Sequence, residues 1–151
     1  MKQAGGRDYS VPLWALFGLF LFRVLAQLAV ALTGFAYLPS MDEWYSGLLP
    51  YQYLLPAHVL IAGTMAKVCW DIGHQRGRFA EANRTAGRVL MGLGLLYLLA
   101  MVARYVLRMA FYPEERWFGG ALPIIFHWVL ASFLLVLARY HLRASEERLG
   151  G

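Results

Sequence analysis

Four apolar stretches, at roughly 11–35, 54–73, 87–111 and 121–142, constrain this chain more than any other feature it has. A bilayer core about 30 Å thick needs about 20 helical residues to cross it, and each stretch reaches that length. Backbone polar groups in lipid must be satisfied within the segment, which leaves the helix as the form for such runs. The sequence therefore predicts an all-α fold, an integral membrane four-helix transmembrane bundle. Composition agrees: 60% of the 151 residues are hydrophobic and only 15% are charged, against about 25% charged in soluble domains. One transmembrane domain, residues 1–151, is expected, with no room for a separate soluble one. The first run is too long for the apolar core of a cleaved signal, and no small-residue cleavage pattern ends it. It is read as retained.

Proline and glycine punctuate the four runs. Pro12 is expected in the first turn of helix one, and Pro39 follows its end. Pro50 and Pro56 bracket the entry of helix two, while Gly73 and Gly77 mark its exit. Pro113 ends helix three, and Gly119, Gly120 and Pro123 open helix four. The aromatic segment 36–53 is expected to lie at the membrane surface as an interfacial turn or short helix.

Basic residues set the orientation. Lys2, Arg7, Arg76, Arg78, Arg84, Arg88, Arg139, Arg143 and Arg148 fall on one side, and only Arg116 on the other, with Asp42, Glu43, Glu114 and Glu115. Both termini and the loop at 74–88 are thus expected to be cytoplasmic, in the inner membrane of a bacterium. The net charge of +5 serves topology. No base-reading motif accompanies it, so nucleic acid is not expected as a partner.

Polar side chains at membrane depth are costly and mark function or helix contacts. Helix one carries Arg23 near its midpoint, with Gln27 one turn on. Helix two carries His58, Lys67 and Asp71, helix three Arg104 and Arg108, and helix four His127. Lys67 and Asp71 are four apart, which favours a local ion pair. Arg23 must face the bundle or a partner subunit, and Asp71 is one candidate counter-ion. Tyr97, Met101, Arg104, Arg108 and Tyr112 share one side of helix three. Counting the helical rise, Arg104 and His127 lie roughly 7 Å outward of their midpoints and His58 roughly 9 Å. His58, Arg104, Arg108 and His127 thus form a candidate ligand site at one outer level. A lipid, a quinone-like head group, a metal or a haem could be held there. The alternative is that Arg108 reaches the surface, pairs with Glu114 or Glu115, and the histidines bond to carbonyls.

The single cysteine, Cys69, excludes an internal disulfide, a CxxC pair and a four-thiolate zinc site, and with them the four-helix thiol oxidoreductases. It is read as a packing residue. His127 and His141 are fourteen apart and return to within about 40° of one face. That spacing resembles the paired-histidine helices of di-haem b cytochromes. Helix two departs from the pattern, because His58 and His74 are sixteen apart and about 160° around. The resemblance implies at most one outer haem b, held by His58 and His127. The segment RGRFAEANRTAG does not reproduce the MAPEG arginine–asparagine–glutamate pattern. Only Asp71 could serve as a membrane aspartate of a lipoprotein signal peptidase, and Arg23 stands where small multidrug transporters carry a glutamate. Ala62, Ala66, Gly87, Gly92, Gly94, Ala100 and Ala103 would permit close helix approach.

No catalytic constellation emerges. The leading expectation is a non-catalytic subunit or accessory protein of a larger membrane complex, with the lipid bilayer and other membrane subunits, or a second copy, as partners. An electron-transfer or quinone-binding module using His58 and His127 is the first alternative. A small lipid-modifying enzyme, with a histidine as base and arginines on a phosphate, is the second.

Overall fold

The computed structural model describes residues 5–34, 37–38, 51–112 and 121–149. Four helices account for nearly all of them: α1 (Gly5–Thr33), α2 (Tyr51–His74), α3 (Arg84–Phe111) and α4 (Ala121–Leu149). All four are long and apolar enough to cross a membrane.

Helix α1 packs against α2 and α4, and α4 packs against α3. The spatial order is therefore α2–α1–α4–α3. The core lies where α1, α2 and α4 meet, around Leu13, Phe20, Val68, Cys69, Ile72, Phe133 and Tyr140. Cys69 is a packing residue of that core, fully shielded. Helix α3 joins differently. Gly87 and Gly94, two turns apart, lie against Leu142 and Leu135 so closely that a Cβ on either would stand 2.9 Å from a leucine carbon. The other small residues of the sequence do not take this part: Gly92 faces open space, and Ala100 and Ala103 are exposed.

Several helix ends differ from the sequence-based expectation. Helix α1 begins at Gly5, so Pro12 lies inside it, and Pro56 likewise lies inside α2. Each proline removes one backbone hydrogen bond close to a helix end, where the freed carbonyl is cheapest to leave. Helix α2 runs through Gly73 to His74. Its stop is Gln75, which takes a left-handed φ of 51°. The Arg76 N–H then donates to the Asp71 carbonyl at 3.0 Å, closing a Schellman-type end. Asn83 caps α3, its side chain accepting from the Ala86 N–H at 2.9 Å. The expected interfacial segment 36–53 lies outside the described residues, apart from 37–38 and the first turn of α2, and so do Glu114, Glu115 and Arg116.

The connection at 75–83 runs between helices at opposite ends of the row, and two groups tie it down. Asp71, 2% exposed, accepts from Lys67 and from the Phe79 N–H. Gly77 closes over that carboxylate with φ +94° and no room for a Cβ. From the other side, the Tyr140 hydroxyl donates to the Ala80 carbonyl at 2.7 Å. Lys67 and Asp71 thus form the local pair that their spacing suggests.

Candidate functional site

Toward the end of the molecule away from this loop, polar side chains from all four helices converge. Helix α1 starts the cluster. Phe20, Arg23, Val24, Gln27 and Val30 repeat at helical spacing and form its buried face, so an arginine and a glutamine are carried inward with the apolar residues. Arg23 is 6% exposed and donates from Nη1 to His58 Nε2 at 2.7 Å. A guanidinium has no acceptor, so Nε2 of His58 accepts and the ring proton sits on Nδ1. The Phe20 ring meets this imidazole edge-on, 5.9 Å between centroids. The Arg23 guanidinium also lies over the Phe126 ring of α4, 5.5 Å from its centroid. Asp71, the candidate counter-ion, is instead at the loop end with Lys67. Arg23 meets an imidazole and an aromatic face there, groups that stabilise a cation without themselves carrying charge.

The other half of the cluster lies between α3 and α4. The Tyr97 hydroxyl and His127 Nδ1 are hydrogen-bonded at 2.5 Å, with ring centroids 5.8 Å apart and near-perpendicular. Arg104 lies near enough to act electrostatically on both Tyr97 and His127, and Arg23 acts on His58, His127 and Tyr97. Arg23, His58, Tyr97, Arg104 and His127 thus form one electrostatic group. Its α1–α2 part is buried; Tyr97, Arg104 and His127 are half-buried.

Two members have unanswered hydrogen-bonding groups. Gln27 is 1% exposed, and neither its amide nitrogen nor its amide oxygen meets a partner among the described residues. The indole N–H of Trp128, next to His127, is in the same position. A buried polar group without a partner costs about 1–3 kcal/mol, so water, a ligand or another chain is expected to meet these atoms.

Of the residues singled out from the sequence, His58 is bonded to Arg23 and His127 to Tyr97, and Arg104 stands near Tyr97 and His127 without a bond to either among the described residues. Arg108 is directed elsewhere, over the Tyr112 ring at 5.9 Å. Arg23 belongs to the cluster, although its nearly central position set it apart in the one-dimensional count. Gln27 and Trp128 carry the open valences, and only the burial of Gln27 had a sequence signal, its spacing from Phe20, Arg23 and Val24.

The two histidines offered as a haem pair are bonded to different partners. His58 Nε2, a usual axial-ligand atom, is occupied by a guanidinium, and His127 is turned to Tyr97 on α3. The second histidine of each helix is differently placed. His74 is exposed and stacked on Trp70, while His141 is buried at the loop end. Comparison of the chain with protein-family models, with curated proteins and with solved structures finds no match to any of them.

Proposed function

We propose that the protein is a non-catalytic, multi-pass membrane protein that works as a subunit or accessory of a larger complex and holds a head group at the four-helix polar cluster. One observation carries the ligand part: the fully buried Gln27 amide, with donor and acceptor both open, set one turn from Arg23. A head group rich in oxygen atoms, from a lipid or a quinone-like molecule, would answer Gln27 and the Trp128 N–H. The half-buried α3–α4 side, where Tyr97, Arg104 and His127 stand, would be its entry.

The subunit part rests on the packing of α3. It is attached along one glycine stripe, and its remaining surface is a continuous apolar field including Leu93, Leu96, Leu99, Val102 and Val106. We place the termini and the 75–83 loop in the cytoplasm, which sets the cluster toward the outer leaflet of a bacterial inner membrane, because the basic residues concentrate at the loop end. Among the described residues His127 is bonded to the Tyr97 hydroxyl and not to a carboxylate, so the lipid-modifying reading has less support.

Gentle purification from the native membrane tests the subunit reading. A stoichiometric companion protein is expected, and a chain that runs alone would overturn it. Extraction of the same sample tests the ligand reading, with one stoichiometric lipid or quinone species expected and its absence fatal to it.

A further inference from the structure

The loop end carries a second arrangement, independent of the polar cluster. Arg84 and Arg88 on α3 and Arg139 and Arg143 on α4 are all exposed. The α3–α4 crossing fixes how they stand. Gly87 faces Leu142 and the Ala138 carbonyl, and Gly94 faces Leu134 and Leu135, so the two helices are antiparallel with residues 87 and 142 level. At about 100° per residue, Arg84 and Arg88 are turned about 60–100° from Gly87. Arg139 and Arg143 are turned by about the same angle, in the same sense along the chain, from Leu142. Equal turns on antiparallel helices lead to the same side of the pair. The four arginines therefore line one side of the crossing, within about 9 Å of each other along the axis.

Topology explains basic residues at this end, but not their gathering on one side of a single helix crossing. Among the described residues none of the four makes an ion pair, and the carboxylates closest in sequence, Glu81, Glu146 and Glu147, are not paired with them. Arg84 opens α3 and Arg88 follows one turn later, and the first turn of α3 has no acidic residue. Helix N-termini favour anions and disfavour cations, so Arg84 stands where it costs helix stability. An external anion would reverse that sign. The level is also specific. Arg88 lies about 14 Å from the middle of α3, near the edge of a hydrocarbon core about 30 Å thick.

We infer that the α3–α4 crossing at the arginine-rich end is a binding site for the phosphate of an anionic phospholipid head group, held by Arg84, Arg88, Arg139 and Arg143. Arginine suits this task because its planar fork donates in pairs to phosphate oxygens. Arg76 and Arg78 sit on the neighbouring loop and carry the same charge without this geometry, which makes them internal controls.

The test is native mass spectrometry of the full chain, taken from bilayers of phosphatidylcholine containing phosphatidylglycerol or cardiolipin. The wild-type protein should retain an anionic phospholipid in preference to phosphatidylcholine. R88Q/R139Q should weaken that retention on the order of tenfold or more, since each substitution removes a charge-assisted fork of hydrogen bonds aimed at the phosphate. R76Q/R78Q, with the same change in net charge, should leave retention near the wild-type level. Should R88Q/R139Q fail to fold by circular dichroism, R84Q/R143Q is expected to show the same loss. Equal losses from the crossing pair and the loop pair would overturn the inference, as would no loss from the crossing pair or no preference for anionic lipid in the wild type.

Discussion

Two buried polar centres in this protein are built from different groups. At the loop end Asp71, 2% exposed, receives the Lys67 ammonium and a backbone N–H, and Lys67 itself remains 56% exposed. Charge meets charge at the edge of the apolar region, and solvent is within reach. At the other centre Arg23 meets a neutral imidazole and the face of Phe126, deeper in the helices and beside an amide with both atoms open. The first arrangement is complete in itself and organises a loop. The second leaves the Gln27 amide open beside it, which is what the proposed head group would answer. Depth explains the difference, because a side chain near a helix end can keep its ion in water, whereas a central one must be answered by protein or ligand.

If that contrast is sound, truncating the acceptor at the deep centre should be the most damaging single change. His58→Ala removes the acceptor of a guanidinium that is 6% exposed, and a loss of about 3 kcal/mol is expected. The double variant Arg23→Met/His58→Leu should recover most of it, because apolar residues of similar volume replace a buried polar pair at little cost. Unfolding in mixed detergent micelles measures both. At the α3–α4 crossing, Gly94→Val should cost about 2 kcal/mol, since its side chain enters the space of Leu135. A cysteine cross-link between the two helices should weaken in parallel.

The shallow centre should be more tolerant. Gly77→Ala places a Cβ onto the Asp71 carboxylate at a φ of +94°, and about 1–2 kcal/mol is expected. Its effect should appear as faster hydrogen exchange in 75–83, with the Arg23 cluster untouched. The smallest change is Tyr97→Phe, which removes the bond to His127. Membrane-embedded hydrogen bonds of this kind average about 0.6 kcal/mol, so ligand retention should respond more than stability does.

Helix number and type were legible in the sequence because apolar length states them almost directly. The Lys67–Asp71 pair was legible as well, being local on one helix. What could not be read were the partners across helices. Arg23 could have met Asp71 or His58, since both lie on α2 and the helical wheel does not say which level of α2 stands beside Arg23. The start of α1 at Gly5 escaped detection because Pro12 imitates a first-turn proline. Gln75 as the end of α2 was hidden by two glycines nearby, although a glutamine in the left-handed region is uncommon. Asn83, which caps α3, stood outside the apolar periodicity that marked the helices.

The central claim is that the deep polar cluster holds an oxygen-rich head group. A structure determined in nanodiscs drawn from the native membrane tests it most directly, through what contacts the Gln27 amide and the Trp128 N–H. The account expects head-group density within hydrogen-bond distance of Gln27, entering past Tyr97 and His127, and lost in Gln27→Leu. A Gln27 amide satisfied by water or by the protein alone, with no head group beside it, would contradict the account.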